Sequence, residues 1–428
     1  MLNITVKPHR QCVRANSPDP QKLFVMFKLQ PQASQLRAGP RPPVAIALVV
    51  DTSGSMAGDK LDKAKAAAHQ LVDYPALTAQ DQIALIQFQG FSQVLAPLAP
   101  LQNRAILHTA IDSLLADDGT MMGLGMQDGW NELRKSSGSS VKKMFLLTDG
   151  LTGDEDQCRL LAKQMANENV SITAFGIGTE YNHDLLINIS DLSRGGWYHL
   201  TDMSRFSEHL QQQLEVALKE AITNVRASLK AVRGVSVTSL RRIHPSIIQI
   251  SPQNSIYPLG NLPSDTVTVF IADLSLPERQ PGRVRLAQVE FIYDIPGLNR
   301  KDERLTSEIV VEYTTDERRA AMVDPEVMSY VQQSNITKLV DEAIQAAKTG
   351  QVQKALQTLN VAKGMTQNLG NVALTKVLEK AEQELQETGT ISPDMVKTVK
   401  ADARTKTVSK DASGKGLSDE EIRKVSGT

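Results

Sequence analysis

Five oxygen-bearing side chains stand at or near the ends of apolar segments and have the chemistry of a metal site. Asp51, Ser53 and Ser55 lie in DTSGS, directly after the apolar run VAIALVV. Thr120 lies in the loop DDGTMMG, and Asp149 lies in LLTDG. Carboxylates and hydroxyls are hard oxygen donors, and Mg²⁺ prefers octahedral oxygen coordination in which it keeps some water. The set therefore predicts a Mg²⁺ site with a position open to an acidic group of a partner.

The same residues also have ordinary structural explanations. Ser53 or Ser55 could cap the helix that begins near Lys60, because hydroxyl oxygens accept hydrogen bonds from free N–H groups at a helix start. Asp149 could begin a turn with Gly150. A cap or a turn would need no contribution from the other two segments. Convergence of all three segments therefore distinguishes a metal site from these alternatives.

Alternating strand and helix patterns predict how the three segments are positioned. Continuous apolar runs are typical of strands that are buried on both faces of a parallel sheet, and they occur at residues 44–50, 83–88, 144–147 and 172–177. Amphipathic stretches between them predict helices on both sides of the sheet. The pattern predicts a Rossmann-like, doubly wound α/β domain over residues 42–205. Ligands of such sheets bind beyond the carboxyl ends of the strands, where Asp51 and Asp149 stand.

Short strand patterns on both sides of the α/β segment predict a second domain. Residues 1–41 and 223–320 carry alternating apolar and polar positions separated by turn-rich pieces. They predict an antiparallel β-sandwich into which the α/β domain is inserted, because insertion is easy where the termini of the inserted domain lie close together. A linking helix is predicted over residues 206–222.

The C-terminal part of the chain changes to helical patterns. Residues 322–389 predict a helical region that includes two antiparallel helices joined at Gly350. Residues 390–428 are rich in Lys, Ser and Thr, and they predict a flexible tail. Thr405 and Thr407 in this tail allow two interpretations, a phosphorylation-dependent docking site read by an Arg-lined domain or a solvated tail. The solvated tail is the preferred interpretation.

The composition excludes several functional classes. The chain has 428 residues, a net charge of −1 and only 4% aromatic residues, so it lacks the basic surface and the stacking platforms that nucleic acid binding requires. The longest apolar run is too short to span a membrane, and the N-terminus has no apolar signal segment. Cys12 and Cys158 fall in different predicted domains, which argues against a disulfide framework. These features predict a cytoplasmic protein.

The three segments, taken in order, resemble the von Willebrand factor A domain over roughly residues 42–205. The resemblance rests on DTSGS, on GTMMG and on LLTDG. It implies a metal-ion-dependent adhesion site with Asp51, Ser53, Ser55, Thr120 and Asp149 as ligands. In that family the hydroxyls typically bind directly, and at least one carboxylate often acts through water. The expected metal is Mg²⁺, with Mn²⁺ or Ca²⁺ also possible. The flanking regions resemble bacterial proteins in which a β-sandwich surrounds the A domain.

The resemblance implies a non-enzymatic interaction scaffold. A partner protein would present an Asp or Glu side chain that completes the metal coordination. Candidate partners in similar systems are AAA+ ATPases and kinase or forkhead-associated signalling proteins. Two alternatives remain open, namely a metal-dependent, phosphatase-like hydrolase and a structural domain whose site is empty. The hydrolase is disfavoured, because phosphatases on similar sheets use a second carboxylate two residues after the nucleophilic Asp, and this chain has Ser53 there.

Overall fold

The first strands of the chain belong to a β-sandwich that is completed only by residues after the α/β domain. The computed structural model describes residues 1–36 and 40–408. Its first elements are the strands β1 (Leu2–Pro8), β2 (Cys12–Arg14) and β3 (Gln21–Pro31) and the short helix α1 (Ala33–Leu36). The alternate residues Leu23, Val25, Phe27 and Leu29 of β3 are buried in the sandwich core. One face of β3 therefore supplies core, as its alternating pattern predicts.

The apolar runs of the central segment form one six-stranded sheet. Its strands are β4 (Val44–Asp51), β5 (Gln82–Phe88), β6 (Ser92–Pro100), β7 (Val141–Thr148), β8 (Val170–Ile177) and β9 (Gly196–Leu200). The strand order is β6-β5-β4-β7-β8-β9. All neighbouring pairs are parallel except β5 and β6, which form an antiparallel edge. Because β4 lies between β5 and β7, the carboxyl ends of three parallel strands meet on one edge.

Helices cover both faces of this sheet. They are α2 (Asp59–Val72), α3 (Arg104–Asp112), α4 (Met122–Leu133), α5 (Glu155–Asn167), α6 (His183–Ser193) and α7 (Phe206–Lys219). The side chain of Asn103 caps α3 by accepting from the N–H of Ala105. Helix α7 occupies the segment predicted as a linking helix, but its residues Phe206, Leu210 and Leu214 are buried in the same core as β4. It is therefore one of the covering helices and not only a connection.

The chain returns to the sandwich directly after α7. The strands are β10 (Glu220–Ala231), β11 (Ser236–His244), β12 (Ile248–Ile250), β13 (Ile256–Pro263), β14 (Thr268–Leu276), β15 (Gly282–Ile295) and β16 (Arg300–Thr314). The two five-stranded sheets have the orders β1-β3-β14-β11-β12 and β13-β10-β15-β16-β2. Pairing is antiparallel except between β2 and β16, which run parallel. The predicted fold class is confirmed, because the α/β domain is inserted between strands of one sandwich.

The C-terminal region is helical. Its helices are α8 (Glu317–Ala321), α9 (Pro325–Lys348), α10 (Val352–Asn368), α11 (Val372–Thr388) and α12 (Pro393–Thr405). Asp324 caps α9 by accepting from the N–H of Val327 at 3.1 Å, and Pro325 occupies the first helical turn. Gly350 joins α9 and α10 with φ of +74°, a left-handed conformation that favours glycine at a helix end. The predicted joint is observed.

The tail predicted to be flexible from residue 390 instead contains an ordered helix. Val396, Val399 and Ala403 of α12 are buried in the core of the helical region. Lys397 is only 4% exposed, and its ammonium group donates to the carbonyl oxygens of Thr179 and Tyr181 at 2.7 and 2.9 Å. The prediction is wrong for this helix because its polar residues find partners on the α/β domain.

The interpretation of Thr405 and Thr407 as part of a solvated tail requires the same correction, and the phosphorylation-dependent docking site stays a prediction. The Thr405 hydroxyl donates to the carbonyl of Ala401 within α12. The Thr407 hydroxyl donates to the carbonyl of Pro245 at 2.7 Å and lies 2.9 Å from Nδ1 of His244. Both residues are thus fixed against folded structure and do not form a solvated tail. Residues 409–428 of the predicted tail lie outside the described residues.

Two further predictions can be compared with the described structure. Cys12 and Cys158 are buried and unpaired, so the prediction that they form no disulfide is confirmed. Across residues 1–36 and 40–408, no helix combines the length and apolarity required to cross a bilayer.

His9 gives the sandwich a testable acid sensitivity. It is fully buried and its Nδ1 accepts from the N–H of Phe24 at 3.0 Å. Burial, with Arg10 nearby, lowers its pKa to about 3. The pKa of a histidine in the unfolded chain is near 6.5. Between that pH and about 3, His9 is therefore protonated in the unfolded chain but stays neutral in the folded chain. His9 thus costs stability as pH falls from about 6.5 towards 3.

Asn at position 9 can still accept from the N–H of Phe24. We expect His9→Asn to lose up to about 1.4 kcal/mol less of its free energy of unfolding than the wild type for each pH unit below 6.5. Urea midpoints measured between pH 7 and pH 5 would show a shallower slope for the variant than for the wild type. Residual slope is expected, because burial also lowers the pKa of His183 and His244, each to about 4. Equal slopes in the two proteins would contradict this role of His9.

Candidate metal centre

The first segment of the site is a turn that directs its polar groups towards one another. Asp51 ends β4 fully buried, and its Oδ1 accepts from the N–H of Ser53 at 2.8 Å. The hydroxyl oxygens of Ser53 and Ser55 lie 3.1 Å apart. A short 3₁₀ turn over Gly54–Met56 brings about this approach. The spacing of DTSGS therefore places two hydroxyls on the same side of the chain.

Neither serine caps a helix. Helix α2 begins at Asp59 after Gly58, and Gly58 provides no side-chain cap. Ser53 precedes the 3₁₀ turn but makes no capping hydrogen bond with its side chain. The capping alternative for these hydroxyls is wrong. Their hydroxyl groups instead face each other, and the Ser55 hydroxyl also donates to the carboxylate of Asp149.

Asp149 closes the site from the end of β7. It is 2% exposed, and its Oδ1 accepts from the Ser55 hydroxyl at 2.7 Å. Its Oδ2 forms an ion pair with the ammonium group of Lys60 in the first turn of α2. The carboxylate thus contacts residues of the first segment, which a local turn with Gly150 would not require.

Thr120 reaches the same place through a loop held against two strands. The N–H of Asp117 donates to the carbonyl of Thr52 at 2.9 Å, and the N–H of Met121 donates to that of Gln89 at 2.7 Å. Gly119 has φ of +94°, and an added Cβ there would lie 2.7 Å from the Cα of Gly90. Only glycine fits this close approach of two backbones.

The position of the Thr120 hydroxyl is seen relative to Gly150. A Cβ added to Gly150 would lie 3.8 Å from Oγ1 of Thr120 and 3.9 Å from Oγ of Ser55. Both hydroxyl oxygens therefore lie within 4 Å of one point beside Gly150. All five residues predicted from the sequence are brought together at the carboxyl edge of the sheet, since β4 and β7 are neighbours.

The site brings two buried carboxylates together beside one contacting cation. Asp51 and Asp149 are almost completely buried, and Lys60 is the cation in contact with Asp149. Burial raises the pKa of Asp51 above its usual range, and the charge of Asp149 adds to this effect. Hydrogen bonds from Thr148 and Ser53 oppose the rise. Such a pair of carboxylates is stabilised by any cation that can reach it.

The donor set fits a hard metal ion. Its groups are two carboxylates and three hydroxyls, which suit Mg²⁺ and not a soft or borderline metal. Among the residues that the structure describes, no three His, Cys, Asp or Glu side chains form a group able to hold a metal. A cation at this edge would therefore depend on the hydroxyls of Ser53, Ser55 and Thr120.

Two residues of the site escaped the sequence analysis. Thr148 donates its hydroxyl to Oδ2 of Asp51 at 2.6 Å and fixes that carboxylate from the neighbouring strand. Lys60 is the second. The start of a helix favours acidic residues, so a lysine in the first turn of α2 was a usable signal of a nearby carboxylate. Thr148 ends an apolar strand without any sequence feature that indicates its contact with Asp51.

Comparisons with known proteins agree with this architecture. Residues 45–227 match the family described as von Willebrand factor type A domain, and residues 325–409 match the Sll0103-like, C-terminal alpha-helical domain. The chain is 27% identical over 266 residues to an uncharacterized protein of Synechocystis sp., sll0103. This match covers 60% of the chain and 63% of the relative, so the chain spans less than two thirds of that protein.

Solved structures extend the likeness over nearly the whole chain. The von Willebrand factor type A protein from Catenulispora acidiphila has a TM-score of 0.81 at 17% identity, covering 95% of this chain and 97% of that one. The ArnB paralog VWA2 from Sulfolobus acidocaldarius has a TM-score of 0.60 at 14% identity, covering 96% and 100%. At these identities the likeness shows the fold alone. The inserted α/β domain is thus a von Willebrand factor type A domain, carried by a chain of the bacterial type with a β-sandwich and a C-terminal helical domain.

Proposed function

We propose that this protein is an intracellular interaction scaffold that binds a partner protein through Mg²⁺ at the carboxyl edge of its A domain. Domains of this type are generally interaction modules and not enzymes. The observation that carries the proposal is the convergence of Asp51, Ser53, Ser55, Thr120 and Asp149 from three segments. An Asp or Glu side chain of the partner would complete the coordination.

The composition of the donor set favours an acidic side chain from the partner as a further ligand. Three of the five donors are neutral hydroxyls, so a divalent ion bound there would remain electrophilic and attract a further anionic oxygen. Asp51 is held by the N–H of Ser53 and the hydroxyl of Thr148, which orient its carboxylate before any ligand arrives. Mn²⁺ and Ca²⁺ are alternative ions for the same oxygen set.

Exposed apolar side chains lie in or next to the loops that form the site, and they support a protein partner. Leu151 follows Gly150 and is 64% exposed, and Leu115 lies before the Thr120 loop and is 72% exposed. Phe91 follows Gly90, whose N–H donates to the carbonyl of Asp118, and it is 52% exposed. Apolar and aromatic side chains of this kind are typical of interface centres. We therefore infer that the partner presents its acidic side chain among apolar residues.

Lys60 is expected to compete with the metal for Asp149. Its ammonium group contacts Oδ2 of Asp149, and the lysine side chain is 41% exposed. Lys60→Met should tighten Mn²⁺ binding by up to about fivefold, because ion pairs with an exposed partner contribute at most about 1 kcal/mol. Calorimetric titration with Mn²⁺ would measure this, with Lys63→Met on the same helix as the control. Weaker Mn²⁺ binding by Lys60→Met would show that Lys60 instead supports the site.

Partner recovery tests the proposal as a whole. The full chain is immobilised, and bound proteins are compared in Mg²⁺ and in EDTA for the wild type, Asp51→Asn and Asp59→Asn. Asp59 is the matched control, since its side chain is 78% exposed and pairs with Lys63. Recovery that requires Mg²⁺ and is lost only in Asp51→Asn supports the scaffold. Equal recovery in all conditions would refute the metal-dependent mode and favour a structural domain.

The candidate partners and the enzymatic alternative enter the same experiment. AAA+ ATPases and kinase or forkhead-associated proteins, implied by the resemblance, are the first purified partners to test. Metal-dependent release of phosphate from a generic phosphate ester, lost in Asp149→Ala, would instead favour a hydrolase. Absence of such release together with Mg²⁺-dependent recovery would favour the scaffold.

A further inference from the structure

Two histidines on neighbouring helices face each other outside the carboxyl edge. His69 lies in the last turn of α2 and His108 lies on α3, and their Nδ1 atoms are 2.6 Å apart. The outer nitrogen of each ring contacts a carboxylate. Nε2 of His69 lies 3.0 Å from Oδ1 of Asp112, and Nε2 of His108 lies 3.0 Å from Oδ1 of Asp73.

The two rings meet edge to edge. Their planes differ by 19° and their centroids are 4.9 Å apart. This centroid separation equals the Nδ1···Nδ1 distance plus the two distances from ring centre to nitrogen, so the rings are nearly coplanar and their Nδ1 atoms point at each other. The four residues form one continuous row in the order Asp112, His69, His108, Asp73.

Hydrogen bonds from both histidines to their aspartates leave the two facing Nδ1 atoms of neutral rings without a proton. A carboxylate only accepts hydrogen bonds, so each Nε2 must carry a proton to bond to its aspartate. A neutral imidazole has one N–H, and both Nδ1 atoms are then left as lone pairs 2.6 Å apart. Two facing lone pairs repel. A shared proton or a metal ion between the nitrogens would remove the repulsion.

We propose that His69 and His108 form a binding site for a divalent transition metal, with their Nδ1 atoms as the protein ligands. A carboxylate on the outer nitrogen of a ligating histidine is the usual support for such a site, because it fixes the tautomer and makes the ring a better ligand. Here both histidines have that support. Asp73 and Asp112 also supply two negative charges that match the charge of the ion.

The site is accessible from solvent, and metal binding requires both rings to turn. The side chains of His69 and His108 are 31% and 29% exposed, so an ion can reach them from solvent and complete its coordination with water. Two nitrogens bound to one tetrahedral Zn²⁺ lie about 3.3 Å apart at the usual bond length. The nitrogens must therefore separate by about 0.7 Å, and each ring must turn by about 35° so that both lone pairs point at one ion. Side-chain rotation on α2 and α3 can provide both changes. Imidazole ligands favour Cu²⁺ and Ni²⁺ over Zn²⁺, and disfavour Mn²⁺.

A metal here would join α2 to α3. Helix α2 also carries Lys60, which contacts Asp149 at its other end. An ion held by His69 and His108 would thus restrain the helix that begins four residues after DTSGS. The two sites select different ions, because the carboxyl edge offers oxygen ligands and the histidine pair offers nitrogen. The histidine site does not rest on the proposed scaffold function.

Copper titration of the full chain tests the proposal. Cu²⁺ is added in excess Mg²⁺ to the wild type, His69→Gln, His108→Gln and the control His209→Gln, and binding is followed by calorimetry and electron paramagnetic resonance. We expect hyperfine coupling to two imidazole nitrogens in the wild type and the control. Each of the His69 and His108 variants should bind at least about 100-fold more weakly, and Asp73→Asn and Asp112→Asn about 10-fold more weakly.

Two results would overturn the proposal. One is Cu²⁺ binding with the same affinity and spectrum in the wild type, His69→Gln and His108→Gln. The other is a ¹⁵N spectrum in which the imidazole nitrogens of His69 and His108 keep a shared proton and do not shift in excess Zn²⁺. The second result would identify the pair as a proton-bound dimer. Circular dichroism of each variant confirms that the fold is retained before the affinities are compared.

Discussion

Asp149→Ala is expected to weaken Mn²⁺ binding at the carboxyl edge by at least about 100-fold, because loss of a residue that only supports a ligand already costs 10- to 100-fold. The substitution removes one of two buried carboxylates and the acceptor of the Ser55 hydroxyl bond. The substitution also removes the ion-pair partner of Lys60. The unpaired ammonium group would then lie beside the remaining oxygen donors and repel a metal ion. Loss of negative charge and gain of an unpaired cation act in the same direction. Mn²⁺ is the appropriate probe, because it prefers oxygen over imidazole ligands.

Calorimetric titration or Mn²⁺ paramagnetic resonance would measure this effect on the full chain. Asp156→Ala is the control, since Asp156 lies in the first turn of α5 with a fully exposed side chain. Thr148→Val is the graded variant. It removes the hydroxyl bond to Asp51 but no predicted ligand, and we expect about a tenfold loss. An unchanged affinity in Asp149→Ala would exclude this carboxylate from metal binding.

Asp191→Ala is expected to lower the free energy of unfolding by roughly 3 kcal/mol, the lower end of the cost of breaking a buried ion pair. Asp191 on α6 contacts the guanidinium of Arg404 on α12, and the two side chains are 18% and 23% exposed. Burial raises the pKa of Asp191, while Arg404 and Arg242 oppose that rise. Burial also lowers the pKa of Arg194 and Arg242, each to about 10. Asp191→Ala would leave the positive charges of these arginines close together, with no carboxylate from Asp191 to compensate them.

The destabilisation should be localised to the attachment of α12. Asp184→Ala is the matched control on the same helix, because Asp184 is 74% exposed and its ion pair with Lys400 spans 3.5 Å; a cost below about 0.5 kcal/mol is expected. Urea midpoints would give the difference in stability, and amide hydrogen exchange would show faster exchange in α12. The double variant Asp191→Leu with Arg404→Met should recover part of the loss. Similar midpoints for Asp191→Ala and Asp184→Ala would contradict the role of the ion pair.

Most of the site could be predicted from the sequence because its residues lie where local patterns place them. A run such as VAIALVV is buried whichever neighbours it has, so the residue that follows it stands at a sheet edge. The same logic places Asp149 after β7. The order of the parallel strands then brings the segments together. Lys60 and Thr148 were missed, because their importance depends on contacts with Asp149 and Asp51 that cross between segments.

Helix α12 shows the limit of local patterns. The segment PDMVKTVKADART contains few apolar residues, and its composition suggests a solvated tail. In the folded protein the ammonium group of Lys397 lies 3.7 Å from the centre of the Tyr181 ring and bonds to two carbonyl groups. Arg404 forms an ion pair with Asp191 on α6. Polar residues can be buried when a distant part of the chain provides partners.

The sequence by itself determined the order of the domains, four of the six strands of the α/β sheet, and the set of oxygen donors at the carboxyl edge. Each of these follows from hydrophobic periodicity or from the chemistry of a few adjacent residues. Only the tertiary structure decided that Ser53 and Ser55 face each other instead of capping a helix, that α12 is ordered, and that His69 meets His108. The order of α12 and the contact of the two histidines depend on pairings between residues far apart in the chain. The Ser55 hydroxyl is likewise oriented by Asp149, which comes from another segment.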